Sequence, residues 1–394
     1  MSNIDVKKMR FDTKEGHERR NKAITNILEK KGVSKGVIKL ILKQEFSLKK
    51  WEKVDNMSFS RSNMGIAICG NKLYVIGGYD GNKYLNNVEC LDFSDPNAKW
   101  QELSHMSVNR ASLGVEIYDN KLYAIGGWDG NECLKSVEYL DLSKQDAKWQ
   151  NVADMSVNRE NIRVIVCDSK LYAIGGRSYI EGEWIYSKSL EYLDLSKQDG
   201  KWQNVADMSV ARGRFGVAVF DGKLYAFGGY GGIRRLKSAE CLDLNNLANG
   251  WQNVADMSVA RYGVGFAVCD GKLYAVGGEG LKSVECLDLK NLESGWQNVA
   301  DMSAERYFLG VAVYDGKLYA VGGYDDSYNE LKSVECLDLK NLASGWQKVA
   351  DISVGIYDSG VAVCGNKLYV IGGHNENEQQ LNKVEYLQLM YDGI

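Results

Sequence analysis

The stretch "KLYAVGG" occurs at Lys272–Gly278 and again, letter for letter, at Lys317–Gly323. Near-copies end at five more Gly-Gly pairs, so the first glycines of the series are Gly77, Gly126, Gly175, Gly228, Gly277, Gly322 and Gly372. A tryptophan stands 26 residues before each of them, at Trp51, Trp100, Trp149, Trp202, Trp251, Trp296 and Trp346. That interval never changes, whereas the distance from each Gly-Gly to the next Trp does, from the short "GGEGLKS" to the long "GGRSYIEGEWIYSKS". Length variation belongs to loops, so a loop follows every Gly-Gly.

One copy, "GVAVYDGKLYAVGGYDDSYNELKSVECLDLKNLASGWQKVADI", holds four short β-rich runs separated by turn signals. "GVAVY" and "KLYAV" flank Asp-Gly, a strong hairpin cue, and "SVECLDL" and "WQKVA" follow. The single proline, Pro96, agrees with closely paired strands that need their amide donors. Four antiparallel strands repeating about every 50 residues, with this Gly-Gly, Tyr and Trp pattern, resemble the kelch repeat over residues 51–394. The resemblance implies an all-β fold, a seven-bladed kelch β-propeller of four-stranded antiparallel blades. The last copy stops before any Trp, and "WEKVDNM" at Trp51–Met57 has no blade before it. The N-terminal strand is therefore expected to complete the last blade and close the ring.

Residues 1–50 hold 14 Lys and Arg against 6 Asp and Glu, a charge of +8, leaving −12 on the rest of a chain whose total is −4. This asymmetry predicts two parts: a basic helical segment over residues 1–46 and a propeller over 47–394. "NKAITNILEK" reads as one short helix with Ala23, Ile24, Ile27 and Leu28 on one face, ended by Gly32, and "SKGVIKLILKQEF" as a second begun by Ser34. These helices are expected to cap the propeller or to dock a second partner. No run is long and apolar enough to span a membrane, and the N-terminus is too polar for a signal peptide, so a cytoplasmic location is expected. The nine cysteines show no CxxC spacing, and eight lie in strand-like runs, as small hydrophobes would.

Repetition separates scaffold from site. Tyr74, Tyr123, Tyr172, Tyr225, Tyr274, Tyr319 and Tyr369 recur in every copy, as do Glu89, Glu138, Glu191, Glu240, Glu285, Glu335 and Glu385. Arg61, Arg110, Arg159, Arg212, Arg261 and Arg306 follow their Trp by ten residues, with Ile356 breaking the series. Such uniformity points to structural roles, the arginines answering the glutamates.

Strand direction places the turns after strands two and four on one face, and there the copies disagree. After Gly-Gly stand Tyr79, Trp128, Arg177, Tyr230, Glu279, Tyr324 and His374. After the arginine series stand Ser62, Ala111, Glu160, Gly213, Tyr262, Tyr307 and Tyr357, and next to these Asn63, Ser112, Asn161, Arg214, Gly263, Phe308 and Asp358. Aromatic and arginine side chains around one opening have the composition of binding hot spots. In the kelch domains of cullin ubiquitin-ligase adaptors, which these repeats resemble, partner peptides dock on this face. The resemblance then implies a basic site at Arg177, Arg214 and Arg235 for a partner protein or peptide with an acidic segment, in a non-catalytic adaptor.

Chemistry is sparse. The three histidines, His17, His105 and His374, are not at ligand spacing, so no metal and no cofactor is expected. No Gly-Gly is followed by GK[ST], and the acidic propeller disfavours nucleic acid. The competing reading is a carbohydrate-modifying enzyme of the sialic-acid mutarotase type, with Glu160 and Glu279 as acid and base and Arg214 for the substrate carboxylate.

Overall fold

A computed structural model describes residues 22, 25–27, 29–36, 50–95, 98–197, 199–375, 377 and 379–389. The chain divides into two compact units, Met1–Lys50 and Trp51–Ile394. In the first, residues 25–27 and 29–30 are helical and Gly32, at φ 79°, ends the turn as expected of a left-handed C-terminal glycine. The expected second helix is seen only at residues 35–36, and its remainder lies outside the described residues.

The second unit is a ring of seven four-stranded antiparallel sheets, each in the order one-two-three-four from the inside out. The innermost strands are Gly65–Cys69, Gly114–Tyr118, Arg163–Cys167, Gly216–Phe220, Gly265–Cys269, Gly310–Tyr314 and Gly360–Cys364. The second strands are the "KLYAV" runs, and past their first lysine every residue is buried, because both faces of the sheet meet neighbouring blades. The Asp-led hairpin turns adopt positive φ at both central residues, as at Asp119 (48°) and Asn120 (54°), matching the twist of the strands they join. Fourth strands are shorter than the "WQKVA" reading implies: in blade 1 only Gln101–Glu102 pairs, at the exposed outer edge.

The ring closes as the repeat count requires. Glu52–Lys53 pairs with Val384–Gln388, Glu52 opposite Tyr386 and Lys53 opposite Glu385, so the chain's first strand is the fourth strand of blade 7. The repeated tryptophans tie blade to blade. Trp149 Nε1 donates to Ser104 O at 2.7 Å and Trp251 Nε1 to Ala206 O at 2.9 Å, and Trp51 Nε1 carries the same bond across the closure to Ala350 O at 2.6 Å.

Inside each blade the arginine and glutamate series meet. Arg110 Nη1 donates to Gly126 O at 2.8 Å and Ser136 O at 2.9 Å, and its Nη2 to Glu138 Oε1 at 3.0 Å, while Glu138 Oε2 accepts from Ser107 N at 2.9 Å. Equivalent Arg–Glu pairs join Arg61–Glu89, Arg159–Glu191, Arg212–Glu240, Arg261–Glu285 and Arg306–Glu335, all buried. One guanidinium thus fixes the Gly-Gly turn to the third strand. In blade 7, where Ile356 stands instead, Glu385 accepts from Ser353 N at 3.0 Å and Ser353 Oγ at 2.9 Å. None of the nine cysteines forms a disulfide, and five of them are buried and four half-buried.

Candidate functional site: the loop face around the channel

The two variable series that sequence reading kept apart are hydrogen-bonded to each other. Ser62 N donates to Tyr79 O at 3.0 Å and Tyr79 N to Ser62 O at 2.9 Å, and the same two-way bridge joins Ala111 to Trp128, Glu160 to Arg177, Gly213 to Tyr230, Tyr307 to Tyr324 and Tyr357 to His374. In blade 5 a single bond, Glu279 N to Tyr262 O at 3.0 Å, takes its place. Each blade therefore presents a fixed couple of side chains at the opening. The pairing has a cost in exposure: Ser62, Ala111, Glu160 and Tyr307 are buried. Ser62 and Tyr307 support their neighbours more than they face solvent.

The next residue of each blade lines the channel itself. Asn63, Ser112, Asn161, Arg214, Gly263, Phe308 and Asp358 all take φ between 48° and 61°, a left-handed turn that aims the chain down the inner strand. With Arg163 and the residues that follow each of them in six blades, they enclose a cavity of about 320 Å³.

Aromatic rings form a continuous arc around this mouth. Tyr186 meets Tyr230 (5.4 Å between centroids), Tyr230 meets Tyr262 (5.7 Å) and Tyr262 meets Phe308 (5.6 Å). Phe308 meets Tyr307 (5.0 Å), Tyr307 meets Tyr324 (5.2 Å), Tyr324 meets Tyr357 (4.1 Å) and Tyr357 stacks on His374 (4.7 Å). Burial pushes the Tyr307 phenol up to about 12, and burial with the hydrogen bond to Tyr357 pushes Tyr324 up as well, so both remain neutral donors. A second group covers blades 1 to 3. Tyr79 leans on Tyr84 (4.8 Å), and Trp128 meets Trp184 (5.7 Å) and Tyr179 (6.1 Å).

The three arginines read as a basic site already hold carboxylates. Arg177 Nε and Nη2 lie 2.7 and 2.6 Å from Glu160 Oε1, with the guanidinium 3.7 Å from the Trp184 ring centre. Arg235 pairs with Glu279 at 2.8 Å. Arg214, of blade 4, reaches Asp358, of blade 7, at 3.6 Å and lies 4.5 Å from the Phe308 ring centre, so this pair spans the channel. Burial is the largest influence on the Arg214 guanidinium and lowers it, but Asp358, Tyr262, Glu160 and Tyr186 together outweigh it and hold the group above its ordinary value.

Several residues here escaped the sequence reading. Tyr179, Trp184 and Tyr186 belong to the long blade 3 loop, which folds as a hairpin, Arg177–Ile180 against Glu183–Tyr186. Tyr84 and Tyr328 lie on other loops after Gly-Gly. Arg163 had a readable signal: it stands where the other six blades begin their inner strand with glycine. Among the described residues no cluster of His, Cys, Asp and Glu could hold a metal ion.

Comparison with known families agrees with this architecture. The family model described as the KLHDC2/KLHL20/DRC7 Kelch-repeats domain matches residues 34–206, and the Kelch motif matches 211–258, 260–303, 305–343 and 356–390. Human Kelch-like protein 5 is 53% identical over 38 residues, which is 10% of this chain and 5% of that protein. Human Kelch-like protein 4 is 48% identical over 42 residues, 11% of this chain and 6% of that protein. The chain thus matches only a small part of these relatives' length. A solved structure, that of YjhT, superposes with a TM-score of 0.58 over 75% of this chain and 99% of its own, at 15% identity, a likeness of fold. By its repeats, its blade count and these matches, the chain belongs to the kelch-repeat β-propeller family.

Proposed function

We propose that the propeller is a protein-interaction module, an adaptor that receives a segment of a partner protein across its loop face. The observation that carries this reading is the unbroken arc from Tyr186 to His374, held by backbone bridges on a rigid ring. Aromatic side chains fixed in advance lose little conformational entropy when a partner covers them, which is how a small set of residues supplies most of a binding energy. The acidic character expected of the partner becomes a narrower statement. A partner carboxylate at Arg177, Arg214 or Arg235 has to displace Glu160, Asp358 or Glu279, so its contribution is to specificity more than to affinity.

The sialic-acid mutarotase reading needs an acid and a base free to exchange protons. Glu160 and Glu279 are each held by an arginine, which favours the interaction module. Affinity capture with the wild type and the Tyr324→Ala, Tyr357→Ala double variant tests the choice. Partners recovered by the wild type should bind the variant at least about tenfold more weakly. Equal recovery of every protein would move the site off this arc, and a sialic-acid anomerisation rate above background would overturn the module as a complete account.

A further inference from the structure

We propose that the mouth of the channel is an oxyanion site, in which Arg163 and Arg214 together take up one carboxylate or phosphate group. The inference goes beyond the aromatic arc, because it concerns the layer beneath it.

Position is the first ground. In the other six blades this residue is glycine, and a Cβ there would run into the next blade: 2.2 Å from Val115 Cγ2 at Gly65, 2.0 Å from Val361 Cγ2 at Gly310. A long charged side chain at the corresponding place in blade 3 therefore departs from the packing rule of the scaffold. Its Nε donates to Phe215 O at 2.7 Å, which anchors the guanidinium against blade 4. Its terminal nitrogens have no protein partner among the described residues, and the side chain is exposed to solvent where it lines the channel mouth.

Charge is the second ground. The charged residues lining the cavity are Arg163, Arg214 and Asp358, two guanidinium groups against one carboxylate. Asp358 is shared with Arg214, and the next acid, Glu160, is committed to Arg177. Desolvation by the surrounding channel wall and then the neighbouring Arg214 press Arg163 below its ordinary value, although its side chain is open to solvent, with Asp358 only partly offsetting them. One negative charge would relieve this repulsion, and a cavity of about 320 Å³ with Asn63, Ser112 and Ser359 in its wall admits a small anion or one acidic side chain.

Thermal melting of the full chain, followed by tryptophan fluorescence at constant ionic strength, tests the site. Sodium chloride is replaced stepwise by sodium phosphate, by sodium acetate or by a hexa-aspartate peptide. The expected result is a saturable rise in Tm with at least one of them. Saturation with the peptide alone assigns the anion to a protein partner; saturation with phosphate or acetate assigns it to a small molecule. Arg163→Gly, which restores the residue of the other blades, should weaken the response about tenfold or more, as should Arg163→Gln, while Tyr324→Ala, Tyr357→Ala keeps the small-anion response. A non-saturating rise common to wild type and Arg163→Gly is general salt stabilisation and overturns the proposal, as does no rise in any series.

Discussion

Arg212 and Arg214 are separated by one glycine and belong to different regions of the molecule. Arg212 lies inside blade 4, where its guanidinium donates to Gly228 O at 3.0 Å, Ser238 O at 2.9 Å, Ser238 Oγ at 3.0 Å and Glu240 Oε1 at 2.9 Å. Arg214 lies at the channel mouth with one ion pair at 3.6 Å and an aromatic ring beneath it. Burial drives the first guanidinium down, whereas at the second the opposing pull of Asp358, Tyr262, Glu160 and Tyr186 together exceeds burial and holds it up. The difference teaches that neither residue type nor recurrence assigns a role here. What separates scaffold from site is how completely the protein itself satisfies the group.

The largest test of this division is at the ring closure. Residues 51–57 carry the fourth strand of blade 7, the Trp51–Ala350 bond and the bond from Met57 N to Asn382 O at 2.9 Å. Their removal exposes the edge of blade 7 and the apolar surface that Trp51 and Met57 cover. The loss should be at least about 5 kcal/mol, comparable to the whole stability of a domain. An unchanged urea midpoint would mean that the ring does not depend on its closure. Next in size is the pair of neighbours. Arg212→Ala leaves Glu240 buried without its cation and should cost about 3–5 kcal/mol. Arg214→Ala removes a partly open ion pair and should change stability by about 1 kcal/mol or less. Equal costs in urea unfolding would erase the distinction.

Much of this was legible before any coordinates. The fixed 26-residue interval from Trp to Gly-Gly registers three strands locally, so blade count, strand order and closure all followed from it. Arg61 and its relatives were readable as structural because a copied residue meets a copied partner, Glu89 in that blade. The mouth was only half legible. Its residues could be collected from variable positions, but the Arg214–Asp358 pair crosses from blade 4 to blade 7, a relation that no linear spacing encodes. Ser62 and Tyr307 looked like rim residues and are buried, because the bridge to the residue after Gly-Gly turns them inward. Arg163 was legible as the single departure from glycine at the start of an inner strand, but it lies outside the loop positions that define the mouth in the sequence.

Glu116 offers the finest test, since it is the one charged residue at the middle of an inner strand. It occupies the middle of the inner strand of blade 2, where five blades carry alanine (Ala67, Ala218, Ala267, Ala312, Ala362) and blade 3 carries Ile165. Burial raises its carboxyl from the ordinary 4.5 to about 7, a backbone hydrogen bond at Ile117 opposing. The folded protein therefore holds this proton more tightly than the unfolded chain, and the sign follows: stability is fully present below about 4.5 and is lost as pH rises through about 7. Glu116→Ala removes that dependence. Discounted for partial access to water, the substitution should be more favourable at pH 8 than at pH 5 by about 2 kcal/mol in urea unfolding. The same effect at both pH values would place Glu116 among groups that water satisfies, with the mouth instead of the blades, and would move the boundary between the two regions down the channel.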